Sequence, residues 1–163
     1  MFNKTSTVTI IIMILSYFTF YSISFSKNIK LNGLVISNYW IKEPIGKQSI
    51  ASGYLTIKNT NTFDEYLINI TSKISKKIEI HEMIIKDDIM RMKLLVDGLK
   101  IRAGSVVHLK PGGYHIMFKK LKINIKAMDN HKINLNFKKS GILSINTTVY
   151  KKITSKVSNK HNH

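Results

Sequence analysis

From Lys27 onward, apolar and polar positions alternate in short runs, and no stretch keeps the 3.6-residue period of an amphipathic helix. Alternation predicts strands, because residues i and i+2 share one face of a strand. Residues 29–36 read as a strand with a turn or bulge at Asn32-Gly33, residues 38–44 as one that carries Trp40 into the core, and residues 51–58 as one ending in a loop over 59–62. Residues 66–75 alternate Leu67, Asn69 and Thr71 against Ile68, Ile70 and Ser72. Residues 77–85 and 89–96 flank Lys86-Asp87-Asp88, a hairpin signal, and Asp97-Gly98 and Ala103-Gly104 are further turns. Residues 106–110 and 114–121 flank Pro111-Gly112-Gly113, and residues 131–138 and 142–150 flank Ser140-Gly141. Eight or nine short strands at this spacing predict an all-β sandwich or barrel.

The two ends have a different texture. Lys4 precedes an apolar run over residues 8–20, interrupted only by Thr9, Ser16 and Thr19, and small residues follow up to Ser26. A basic start, an apolar centre and small residues at −3 and −1 predict a secretory signal peptide over residues 1–26, cleaved after Ser26 or, as second choice, after Ser24. The alternative is an uncleaved anchor helix, for which the run is short against the roughly 20 residues a span needs. Residues 27–150 then form one domain, and residues 151–163 a polar, basic tail expected to be disordered. With no second apolar span, the exported part is expected to be soluble outside the cytoplasm.

Composition narrows the function classes. At 44% hydrophobic and 21% charged, the chain has the makings of a globular domain. The formal charge of +17 suits docking on an acidic protein or an anionic membrane. The lysines are scattered and not gathered with aromatics on one element, which argues against nucleic acid as the partner. Cysteine is absent, which excludes disulfides, thiolate metal sites and cysteine nucleophiles together. No glycine-rich phosphate loop, nucleophile elbow or plausible carboxylate pair is present, and Asp87-Asp88 falls in a predicted turn, so the chain does not read as an enzyme.

Candidate chemistry concentrates in residues 78–118. His81-Glu82-Met83, Met90-Arg91-Met92 and His115-Ile116-Met117 each place two donors at i and i+2, on one face of a strand. His81 and Met83 alternate against Ile78 and Ile80, and His115 and Met117 against Ile116 and Phe118. Imidazole nitrogen and thioether sulfur suit a soft ion such as Cu(I), whereas hard ions want oxygen. If Ile84 faces Ile89 across a four-residue loop, Met83 faces Met90 and His81 faces Met92. A slip of one residue would move every side chain to the other face. The competing reading makes the methionines core filler, since Met90 and Met92 share a face with Leu94 and Val96. The chain would then be an exported basic binding module for an acidic envelope partner. Exposure of Met92 and Met117 separates the two readings.

The segments His81-Glu82-Met83, Met90-Arg91-Met92 and Lys110-Pro111-Gly112-Gly113-Tyr114-His115-Ile116-Met117 resemble the signature of the PCuAC family of periplasmic copper chaperones. Its pattern is a histidine, a methionine some eleven residues on, then a His-x-Met after a further twenty-odd; Gly53-Tyr54-Leu55 extends the resemblance across most of the exported chain. The resemblance implies a cupredoxin-like Greek-key sandwich or barrel, and a Cu(I) site near the surface formed by His81, Met92, His115 and Met117. It also implies a periplasmic location and delivery of copper to the copper centre of cytochrome c oxidase. A Sco-like thiol protein would be a further partner, and the chain a monomer. Met83 and Met90 are spare thioethers, beside the site or used in transfer. Pro111-Gly112-Gly113 is expected to form the tight turn that presents His115, because glycine adopts positive φ freely. His161 and His163 are a thin version of the His- and Met-rich tails of some relatives, and His108 and His131 are expected to be plain surface residues.

Overall fold

The alternating runs form eleven strands in a computed structural model that describes residues 28–46, 48–86 and 88–151. They are β1 (Ile29–Leu31), β2 (Leu34–Lys42), β3 (Ile50–Asn59), β4 (Glu65–Ser72), β5 (Ser75–Lys86) and β6 (Ile89–Leu94), followed by β7 (Leu99–Ile101), β8 (Val106–Leu109), β9 (His115–Leu121), β10 (Asn130–Phe137) and β11 (Gly141–Tyr150). The main path of hydrogen-bonded neighbours is β6-β5-β9-β3-β2-β11-β10-β4-β7, with β1 beside β2 and β8 beside β3. β2 and β11 run parallel, whereas the other pairs are antiparallel. β4 also packs against β5, so the sheet folds over on itself and encloses one core. No helix of the described residues is long and apolar enough to cross a membrane. The predicted signal peptide over 1–26 and nearly all of the predicted tail, with His161 and His163, lie outside the described residues.

Inward-facing aliphatics and phenylalanines fill the core: Leu34, Ile36 and Ile41 of β2, Leu55 and Ile57 of β3, Ile116 and Phe118 of β9, and Leu135 and Phe137 of β10. Each such side chain taken fully from water contributes about 1.5–3 kcal/mol. Two buried polar groups tie the loops to this core. Glu65 accepts hydrogen bonds from the N–H of Tyr66 (2.9 Å), the N–H of Lys139 (3.0 Å), and both the N–H and the hydroxyl of Ser140 (2.7 Å each). It thereby clamps the β10–β11 turn to β4. Asn59 donates to the carbonyls of Phe63 and Ile101 and accepts from the N–H of Asn61.

Three expectations about the strands change. Trp40 is not in the core. Alternation from Ile36 would bring residue 40 inside, but the register of β2 with β3 shifts between Ser37 and Trp40, with Asn38 at φ 51°. That bulge flips the parity of the strand. Ile41 turns inward instead, and Trp40 lies half-exposed against Tyr54 and Tyr150, with ring centroids 4.6 and 6.4 Å away. The predicted strand over 29–36 is two strands joined at Asn32-Gly33, both at positive φ, as a tight hairpin turn requires. β7 is a strand the alternation pattern passed over, with only three residues between two glycine turns.

Candidate metal centre

Strand β5 carries the centre, because it is paired on both sides. Against β9 it sets Glu79 opposite Met117 and His81 opposite His115; against β6 it sets His81 opposite Leu94 and Met83 opposite Met92. Directly opposed residues share a face of the sheet, so Glu79, His81, Met83, Met92, His115 and Met117 all project from the same side. Ile80, Ile116 and Phe118 project from the other side, into the core. His81 is the common neighbour. His115 faces it directly, while Met92 and Met117 occupy its diagonals on the two flanking strands, at about 7–8 Å in an ideal ladder.

The hairpin register differs from the predicted one. Lys86 pairs with Ile89, leaving two residues between them and not four, with Asp88 at φ 56°. Met83 therefore faces Met92, Met90 faces Ile85, and His81 faces Leu94. The shift is by two residues, an even number, so the same side chains stay on the same face. Met92 remains within diagonal reach of His81. Met90, 63% exposed, moves two ladder steps away and is not brought to the histidines.

The histidines are buried and oriented. His81 and His115 are 8% and 7% exposed, with ring centroids 5.8 Å apart and planes tilted by 34°. Nδ1 of His115 donates to the carbonyl of Gly113 (3.0 Å), which also accepts the N–H of Met83 (3.3 Å). That carbonyl belongs to a tight turn closed by the Gly113 N–H donating to the Lys110 carbonyl (3.1 Å), with Pro111 in second place and Gly112 at φ 79°. Proline then a positive-φ glycine is the chemistry of a type II turn, and the turn presents His115 as expected. Nε2 of His81 lies 2.7 Å from Oε2 of Glu79, while its Nδ1 is buried without a hydrogen-bond partner.

Glu79 is the residue of this face that the motif reading left out. Its side chain is 8% exposed and takes Lys77 (2.7 Å), Lys119 (2.9 Å) and His81. Lys77 and Lys119 are directly opposed across β5 and β9, a like-charge pair that the carboxylate bridges. The hydrogen bonds from Lys77, Lys119 and His81 hold the Glu79 carboxyl at about 2, well below its ordinary value, against a smaller upward push from burial. The clue in the sequence is its place two residues before His81; the lysine across the sheet needed the register.

Among the described residues, no three His, Asp or Glu side chains gather into a metal site, so an ion on this face would need the thioethers. Among the described residues, no methionine belongs to the buried core. Met92 is 52% exposed and Met83 and Met117 are half-buried, which overturns the reading of these methionines as core filler. Every residue of β6 is exposed, and the strand forms an edge of the sheet. His108 is exposed and bonds Thr56, whereas His131, expected at the surface, is largely covered beside Asp129.

Comparison with known proteins agrees with this architecture. Residues 34–149 match the family model described as "Putative lipoprotein LpqE-like". The protein named "Putative lipoprotein Lxx21020" of Leifsonia xyli subsp. xyli is 31% identical over 106 residues, 65% of this chain and 63% of that one. The "Uncharacterized protein RP573" of Rickettsia prowazekii is 34% identical over 93 residues, 56% of this chain and 51% of that one. The chain thus spans between half and two thirds of the length of these curated relatives. The solved structure of the copper-bound PCuAC domain from PmoF2 superposes with a TM-score of 0.66 at 18% identity, covering 77% of this chain and 98% of that domain. The solution structure of CuI-DR1885 from Deinococcus radiodurans gives 0.59 at 18% identity, covering 80% and 85%. The fold is therefore all-β and cupredoxin-like, that of PCuAC domains.

Proposed function

This chain belongs to the LpqE-like family of PCuAC type, and from that premise we propose that it is an exported copper chaperone that carries Cu(I) as cargo. His81, Met92, His115 and Met117 would be the ligands, with Met83 beside them. One observation carries the reading: two buried, opposed imidazoles each have one ring nitrogen held as a donor, and Nδ1 of His81 has no partner, on a face whose nearest soft donors are thioethers. An imidazole whose second nitrogen is tied to a carboxylate or a carbonyl is the usual form of a metal-binding histidine.

Neutral imidazoles and thioethers leave the charge of Cu(I) uncompensated within the ligand set. Such a site holds copper for carriage yet gives it up to a receiver that offers thiolates. The exposed edge strand β6 lets Met92 leave the ion while the histidines stay in place. Delivery to the copper centre of cytochrome c oxidase, with a Sco-like thiol protein as an intermediate partner, is the destination we propose. A periplasmic location follows from the predicted signal peptide, and the names of the family and of the Leifsonia protein support export.

Anaerobic Cu(I) titration against a chromophoric chelator tests this. One tight equivalent, lost in His81, Met92, His115 and Met117 variants, is the expected result. Binding no tighter than in a variant lacking all four would sink it.

A further inference from the structure

We infer that Glu79 is a positioning residue for this face: by accepting the Nε2 proton of His81 it turns that ring so that Nδ1 is the copper-binding atom, whereas His115 offers Nε2. The inference rests on the functional reading above and assigns different ring nitrogens to the two histidines.

A carboxylate and a carbonyl only accept hydrogen bonds, so the ring nitrogen that faces each of them carries the proton. Glu79 faces Nε2 of His81 at 2.7 Å, and the Gly113 carbonyl faces Nδ1 of His115 at 3.0 Å. The lone pairs left over are Nδ1 of His81 and Nε2 of His115. Nδ1 of His81 is buried with no partner. Nearly all buried polar atoms are satisfied, so this atom marks a place for a ligand that is not protein. The two rings are already directly opposed across β5 and β9.

Glu79 is itself firmly placed. It stands two residues before His81 on the same face of β5, is nearly buried, and is held by ammonium groups from both β5 and β9. A free imidazole could rotate by half a turn and exchange Nδ1 for carbon; the hydrogen bond to a carboxylate pinned by two ammonium groups prevents that. Carboxylates behind metal-bound histidines commonly act this way, and their loss weakens metal binding by roughly tenfold to a hundredfold. A role limited to neutralising Lys77 and Lys119 would make no demand on the ring.

Glutamine separates the two roles. Its amide oxygen still accepts the Nε2 proton, but its charge is gone. In Cu(I) competition titrations of the full chain, Glu79→Ala is expected to lose roughly tenfold to a hundredfold in affinity, and Glu79→Gln to stay close to the wild type. Long-range nitrogen-15 spectra of the copper-free wild type should show His81 protonated at Nε2 and His115 at Nδ1. Adding one equivalent of Cu(I) should shift His81 Nδ1 and His115 Nε2. Copper binding at His81 Nε2, seen as a larger shift there than at Nδ1, or Glu79→Gln as weak as Glu79→Ala, overturns the proposal. If Glu79→Ala does not fold, the wild-type spectra and the glutamine variant decide alone. Wild-type protein that takes up no Cu(I) removes the functional reading and this one with it; normal wild-type binding with unchanged affinity in folded Glu79→Ala removes this one only.

Discussion

Gly53 of β3 backs onto the ring of Phe118 of β9 so closely that a β-carbon at position 53 would stand 2.8 Å from Cε2 of the ring. Phe118 is fully buried and directly follows Met117, so the glycine decides how near β9 can lie to β3. Gly53→Ala must push the ring, and with it the strand that carries His115 and Met117. Overpacking of this kind costs about 1–3 kcal/mol. Denaturant unfolding should show that loss, and Cu(I) affinity should fall with it.

Gly112 makes the opposite case. A β-carbon there would meet nothing within 4 Å, but the residue sits at φ 79° in the turn that supports His115. Gly112→Ala should therefore cost about 1–2 kcal/mol from backbone conformation alone. The turn also supplies the Gly113 carbonyl to His115, so copper binding should weaken in step. An alanine variant as stable as the wild type, by chemical denaturation, would show that the turn relaxes without loss.

Met92 and Met90 share β6 and its face, yet only Met92 lies on the diagonal of His81. Both are exposed, so a leucine at either should change stability by no more than about 0.5 kcal/mol. Met92→Leu is expected to lower Cu(I) affinity by at least the tenfold to hundredfold, roughly, that loss of an outer partner costs. Met90→Leu should leave affinity unchanged. Equal effects in a competition titration would mean that the hairpin register is not the one described.

These two methionines also show what could be read in the chain beforehand. Parity along a strand follows from local alternation, so the face shared by His81, Met83, His115 and Met117 was legible in the sequence. Register depends on the turn, and reading four residues between Ile84 and Ile89 in place of two between Lys86 and Ile89 exchanged Met90 for Met92 opposite Met83. Trp40 was misplaced because a bulge at Asn38 cancels the alternation that assigned it to the core. Glu79 carried no motif; its role depends on Lys119, 40 positions away, which becomes a neighbour only through β5–β9 pairing.

Acid should act on the other buried carboxylate, Glu65. Burial pushes its carboxyl up, but the Ser140 hydroxyl and the N–H groups of Tyr66, Lys139 and Ser140 together outweigh that and leave it lowered from 4.5. A group whose pKa is lower folded than unfolded contributes stability that is complete above its unfolded value and is lost as pH falls through its folded value. Unfolding free energy should thus be level at neutral pH and decline once the pH drops below about 4.5. Glu79, held at about 2, acts with the same sign, so the decline continues toward that pH. Glu65→Gln should lower stability at pH 7 and flatten the upper part of the decline without removing it. Ser140→Ala removes the hydroxyl that lies 2.7 Å from the carboxylate and should cost about 1.5–3 kcal/mol at neutral pH, the range for a hydrogen bond to a charged group. Both residues lie outside the metal face, so Cu(I) affinity in either folded variant should match the wild type. A pH profile of Glu65→Gln that overlays the wild type would show that the clamp on the β10–β11 turn carries no net charge-dependent stability.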